Sequence, residues 1–192
     1  MQVTYFDFER LPVSPWRNGG GETREIVCQP LQGEAFDWRA SIATIAQAGP
    51  FSAFSGIDRS ITLLEGDGVH LYAAGHIDHR LTTRGEPFSF SGDVALHAEL
   101  LGGSSQDFNI MTRRGRWRAN VQPITTATTL PVGHAGVFYV LCGDWQLQQS
   151  PPVTLTARQG GWWPVATRCG GVRPLTQDAL ALWADLTPQE SG

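Results

Sequence analysis

From Phe36 to Ile45 the side chains alternate, with Phe36, Trp38, Ala40 and Ile42 on one face and Asp37, Arg39, Ser41 and Ala43 on the other. A period of two is the spacing of a β-strand with one face in a core, and it recurs along most of the chain. Glu22 to Cys28 sets Thr23, Glu25 and Val27 opposite Arg24, Ile26 and Cys28. Arg59 to Glu65, Val69 to Tyr72, Phe88 to Phe90, Val94 to Leu101 and Phe108 to Arg113 read as further strands, with Asn109, Met111 and Arg113 sharing a face of the last. Turn signals separate them, among them Ala48-Gly49-Pro50, Gly66-Asp67-Gly68 and Gly102-Gly103. The Gly66 turn is expected to return Val69–Tyr72 antiparallel to Arg59–Glu65. The 22 glycines and 12 prolines suit a fold of short strands and turns. Helical spacing occurs only near the end, where Thr176 fits a cap and Ala179, Leu182, Trp183 and Leu186 follow i, i+3, i+4, i+7 before Pro188. A short C-terminal helix packed outside a sheet is predicted there.

The β pattern repeats. Leu63 to Leu71 resembles Val140 to Leu147, aligning Gly66 with Gly143, and Leu81-Thr-Thr-Arg84 before Phe88 resembles Leu155-Thr-Ala-Arg158 before Trp162-Trp163. Two copies of one β unit predict an all-β chain built as a duplicated sandwich or barrel. The expected division is residues 1–120 and 121–192, the second part carrying the helix, unless the two are intertwined in one domain.

Charge narrows the function classes. The formal net charge of −4 argues against a nucleic-acid partner, which needs a clustered basic face. All 14 basic residues are arginine, a bias that codon usage explains and that also suits recognition of carboxylates by guanidinium forks. Cys28, Cys142 and Cys169 form no CxxC pair, so a reducing cytoplasm is expected rather than a disulfide framework. The first residues lack a basic and an apolar targeting region, and no apolar run approaches the ~18 residues of a membrane span.

Pro15-Trp16-Arg17-Asn18-Gly19-Gly20-Gly21-Glu22-Thr23-Arg24 joins an indole, two guanidiniums and an amide to three consecutive glycines, which allow close backbone approach. This reads either as a segment pressed over a cavity mouth or as a tight connector with solvated side chains. Elsewhere polar groups sit on strand faces otherwise meant for a core: Arg39 with Ser41, Asn109 with Arg113, and Asp58-Arg59. An arginine inside a barrel is costly unless paired or wetted. Such a lining suits a small anionic metabolite, with Trp16 or Trp38 as an aromatic wall. The alternative is that these arginines point outward, or pair with Asp37, Asp58 and Asp107 as structural ion pairs.

Other chemistries find less support. His70, His76, His79, His97 and His134 do not form the HxH-plus-carboxylate pattern of a metal-bearing barrel, although Gly85-Glu86-Pro87, Gly92 and His97 echo its second half. There is no GxSxG nucleophile elbow and no phosphate loop with its lysine. No metal or cofactor is expected, and no catalytic residue is assigned.

Several long motifs are similar to those of the HutD/Ves family: Pro15 to Ile26, Phe36 to Ala43, Gly49 to Ser52, Phe54 to Arg59, Leu63 to Gly66 and Asp107 to Gly115. The resemblance covers roughly residues 5–115 and is thin beyond residue 120. It implies a bicupin, two cupin-like barrels packed as one unit, of bacterial origin. It also implies association with histidine utilisation, where binding of an intermediate such as formylglutamate has been proposed, or with stress responses, and no assigned reaction. On this resemblance the ligand-binding group is Trp16, Arg17, Asn18, Arg24, Trp38, Arg39, Asp58, Arg59, Asn109 and Arg113. The expectation is a non-catalytic sensor of an anionic metabolite. The rivals are a metal-dependent cupin isomerase or oxygenase using His97 with His70 or His79, and a structural role in which exposed β edges pair as a homodimer.

Overall fold

The computed structural model describes residues 2–30, 35–165 and 170–190, so Cys169 lies outside the described residues. The chain divides into two compact units, Pro12–Arg118 and a second formed by Ala119–Glu190 together with the segment ending at Leu11. The division therefore differs from a single cut near residue 120.

In chain order the strands are β1 (Thr4–Asp7), β2 (Val13–Pro15), β3 (Gly21–Gln29), β4 (Trp38–Ile45), β5 (Gly49–Phe51), β6 (Ile57–Glu65), β7 (Val69–Ala73), β8 (Ile77–Leu81), β9 (Pro87–Ser91) and β10 (Leu96–Leu100). They continue with β11 (Ser105–Arg113), β12 (Trp117–Ile124), β13 (Thr128–Leu130), β14 (Ala135–Cys142), β15 (Trp145–Leu147), β16 (Val153–Leu155), β17 (Gln159–Trp163), β18 (Gly170–Pro174) and β19 (Leu180–Pro188).

The first unit has a sheet ordered β2-β3-β4-β11-β6-β9 and another ordered β5-β10-β7-β8. The second has β1-β17-β14-β19-β12 and β13-β18-β15-β16. Shifting each label by eight maps β4-β11-β6-β9 onto β12-β19-β14-β17, and β5-β10-β7-β8 onto β13-β18-β15-β16. The duplication read from the Gly66 and Gly143 turns thus extends to every strand from β4 onward. The fold is all-β and duplicated.

Two expectations fail for reasons the topology supplies. The stretch predicted as a C-terminal helix is β19, the counterpart of β11, paired with β14 from Ala135↔Leu186 to Cys142↔Leu180. Ala181, Leu182, Trp183 and Ala184 are all buried. A strand covered on both faces shows a continuous apolar run rather than alternation, which sequence periodicity alone does not separate from a helix. Thr176, read as a helix cap, instead accepts the Asp144 N–H through its hydroxyl at 3.1 Å. The second failure is at the Gly66 turn. β7 does not pair back onto β6; it crosses to the other sheet, between β10 and β8.

In the first unit both sheets contribute to an apolar cluster that includes Ile45, Ile61, Leu63, Leu71, Leu81 and Leu96. The second unit's cluster contains Phe138 and three indoles, Trp145, Trp163 and Trp183. Among the described residues no helix is long and apolar enough to cross a membrane.

Candidate functional site

A cavity of about 520 Å³ opens in the first unit, and the sheet alternation explains its lining. β4 aims Arg39, Ser41 and Ala43 inward, while β11 contributes Asn109 and Met111 and β6 contributes Arg59. Register sets the two arginines level with each other on either side of β11, since Met111 faces Arg39 on one neighbour and Arg59 on the other.

A bulge in β3 re-aims its inner face. Pairing runs Thr23↔Ala43 and Glu25↔Ser41, then jumps to Val27↔Ala40 and Cys28↔Arg39. The extra residue flips the phase, so Val27 leaves the face of Thr23 and Glu25, contrary to simple alternation, and Cys28 joins it. Glu25 then accepts the Arg39 Nε–H at 3.0 Å. Burial raises the Cys28 thiol's pKa, with Glu25 adding to the rise and Arg39 opposing it. The thiol is therefore not activated.

The glycine segment forms one edge of the cavity. The Asn18 side-chain oxygen accepts the Gly20 N–H at 2.8 Å, and Trp16 accepts the Gly19 N–H at 3.0 Å through its carbonyl. A Cβ on Gly21 would strike the Thr44 carbonyl and press on the Trp16 ring. The indole therefore lies where only glycine leaves room, its Nε1–H donated to Thr23 Oγ1 at 2.8 Å and its ring edge-on to Phe51.

Arg59 dominates the site electrostatically. It is 8% exposed, and its guanidinium lies 5.1 Å from the Phe90 ring centre, 5.3 Å from Phe54 and 5.8 Å from Phe51. Its Nη1–H donates a long bond to the Ser52 carbonyl at 3.4 Å. Among the described residues no carboxylate lies within ion-pair distance of it, and its Nε has no partner. Burial, then the charge of Arg39, lowers its pKa to about 10, so it remains cationic at neutral pH. Such a charge is stable inside a protein only with compensation; here three aromatic faces supply part of it.

Of the ten residues singled out from sequence, Trp16, Arg17, Asn18, Arg39, Arg59 and Asn109 line this cavity. Arg24, Trp38, Asp58 and Arg113 do not. Parity accounts for three of them: each neighbours an inward residue and so points away. Trp38 is 2% exposed and packs on Trp117, with ring centres 6.3 Å apart. Asp58 accepts the Arg114 Nε–H at 2.8 Å, and Arg24 lies 3.7 Å from Glu22. Arg113 has the right parity but sits at the strand end, where it donates to the Phe36 carbonyl at 3.0 and 2.7 Å beside Asp37. The structural ion pairs weighed as an alternative are thus present at Asp37 and Asp58, but not at Asp107. Sequence reading missed the phenylalanine cage, because Phe51 and Phe54 sit on the loop side of a strand junction where periodicity carries no signal.

None of the five histidines lines the cavity. His70 meets Asp78, His134 meets Asp185 at 2.7 Å, and His79 stacks on Phe88. Among the described residues no three potential metal ligands converge.

The sequence matches the HutD family pattern over residues 8–176. The chain belongs to the HutD/Ves family. It is 42% identical over 186 residues to Protein Ves of Cronobacter sakazakii, covering 96% of this chain and 99% of that one. The structure of HutD from Pseudomonas fluorescens SBW25 superposes with a TM-score of 0.85 at 25% identity, covering 98% of this chain and 100% of that one. A cupin 2 conserved barrel domain protein from Leptotrichia buccalis, at 12% identity and a TM-score of 0.61 over 98% of both chains, shares the fold. This HutD/Ves protein is therefore a bicupin whose first unit keeps a polar cavity.

Proposed function

We propose that this HutD/Ves protein binds a small carboxylate metabolite in the cavity of its first unit and acts as a sensor of it in a regulatory role. One observation carries the reading: Arg59 is buried, cationic and without a carboxylate partner among the described residues, and it shares an open cavity with a second arginine, Arg39. A bound carboxylate supplies the missing counter-charge, and the fork geometry of guanidinium favours that anion. Arg39 and Arg17 add positive potential, Asn109 an amide, and Trp16 a partial cover. The structure of HutD from Pseudomonas fluorescens SBW25 is of a formate condition, which is compatible with this chemistry. Formylglutamate, or a related intermediate of histidine degradation, is the first candidate.

What supports binding without turnover is that, among the described residues, the lining contains no His, Cys, Asp or Glu. It offers neither a general base nor donors suited to a catalytic metal. Thermal-shift and calorimetric titration with formylglutamate, glutamate, urocanate and histidine test the reading. A true ligand at a hundredfold excess over Kd stabilises by ~2.7 kcal/mol, and Arg59→Met abolishes the shift. Absence of any shift at millimolar carboxylate, or a shift unchanged in Arg59→Met, sinks it.

A further inference from the structure

The two inner arginines of the cavity are not equivalent. Arg59 has no carboxylate within ion-pair distance among the described residues, whereas Arg39 donates its Nε–H to Glu25 at 3.0 Å. Glu25 stands opposite Ser41 on the neighbouring strand, just before the β3 bulge, so Arg39 reaches it as a diagonal cross-strand neighbour. Glu25 is not itself a lining residue, while Arg39 and Ser41 are. It is therefore placed to act on a bound molecule through the guanidinium it holds.

That contact changes what Arg39 can offer. A guanidinium grips a carboxylate best through two parallel N–H bonds, and its side-on fork needs the Nε–H. Glu25 occupies that donor. It also cancels charge, since two guanidiniums with one carboxylate leave a single net positive charge for a ligand. Folding stability does not explain the pair. Its side chains are 26% and 45% exposed, and ion pairs so open to water add little.

We propose that Glu25 is a specificity-determining residue, a positioning group that withholds Arg39 so that the inner cavity answers to one carboxylate, the one held by Arg59. A second carboxylate gains nothing at Arg39 unless it drives Glu25 off, and it meets like charge in doing so. The second carboxylate of a diacid is left to the mouth, where Arg17 is exposed. This rests on the carboxylate reading of the cavity and adds the number of ligand charges that the site rewards.

Titration calorimetry with pentanoate and glutarate tests the proposal, since the two share a carbon chain and differ by one carboxylate. In the natural protein glutarate is expected to gain less than about tenfold over pentanoate. Glu25→Gln keeps the shape and frees Arg39 of its counter-charge. It is expected to shift the ratio toward glutarate by roughly tenfold or more, with pentanoate binding kept or improved, which also reports an intact fold. Glu25→Asp keeps the charge and holds the natural ratio. When Glu25→Gln is combined with Arg39→Gln the shift disappears, because Arg39 carries it. A larger glutarate advantage in the natural protein, an unmoved ratio in Glu25→Gln, or a shift that survives loss of Arg39 overturns the proposal and leaves the carboxylate reading standing. If neither acid binds the natural protein or Glu25→Gln, both readings fall.

Discussion

Gly136 stands in the second unit where Arg59 stands in the first. The bulges at Leu64 and Leu141 align the copies, so that Asp107 corresponds to Ala181, Asn109 to Trp183 and Phe90 to Trp163. Arg59, Asp107 and Asn109 are thus replaced by a glycine, an alanine and an indole. Trp163 fills the space over Gly136 so closely that a Cβ there would run into its ring. One copy was packed shut and the other left open.

The packing predicts opposite responses at equivalent positions. Gly136→Ala forces Trp163 to move and is expected to destabilise by about 1–3 kcal/mol. Arg59→Met removes a buried charge without opening a hole, and should leave the ligand-free protein equally stable or about 1–3 kcal/mol more stable. Denaturant unfolding compares the two. A large loss of stability in Arg59→Met would show that the charge is compensated by something other than a ligand.

Asp107 makes stability depend on pH. Burial raises its pKa from the ordinary 3.8 to about 7, so the folded state binds more protons than the unfolded state between those values. Its contribution to stability is then fully present below about pH 4, falls as pH rises through that window, and levels off above about pH 7. Asp107→Asn should flatten this slope and be the more stable protein at pH 8, by a few kcal/mol at most. Melting curves of both proteins from pH 4.5 to 8 decide it, and parallel profiles would contradict the placement of the acid.

Gly21→Ala tests the edge of the cavity. The added methyl meets the Thr44 carbonyl and the Trp16 ring, so the indole must shift and its bond to Thr23 must lengthen. The expected outcome is about 1–3 kcal/mol of lost stability together with weaker carboxylate binding. Trp16→Phe keeps an aromatic face and removes only the donor, so it should cost about 1 kcal/mol. If Gly21→Ala binds as the natural protein does, Trp16 plays no part in covering the site.

Arg39 acts at longer range. Arg39→Gln removes its charge from beside Arg59, which restores the Arg59 pKa toward the ordinary value but weakens the field at the mouth. Carboxylate affinity should fall roughly 3- to 10-fold, less than for Arg59→Met, and its salt dependence should diminish. An undiminished affinity would restrict recognition to Arg59.

Much of this was legible before any coordinates. The parity of Phe36–Ile45 correctly aimed Arg39 and Ser41 inward, and the Gly66 and Gly143 turns revealed the duplication. The same parity, applied strictly, excludes Trp38, Arg24 and Asp58 from the cavity, because each neighbours an inward-facing residue on its strand. What sequence cannot supply is non-local: the β3 bulge, the crossing of β7 to the second sheet, and the meeting of Phe51, Phe54 and Phe90 around one guanidinium. β19 was misread because burial on both faces erases the two-residue period, leaving a helical spacing by coincidence.

The place of β19 between β14 and β12 has a consequence for how the protein comes into being. The sheet of the second unit needs both β1 and β19, which starts at Leu180, so it cannot close until β19 has been made, whereas every strand from β2 to β11 has been made by Arg113. A nascent chain therefore acquires its binding pocket while its other half is still an open set of strands, and protease protection of ribosome-stalled chains should spread to β1 only after β19 is out.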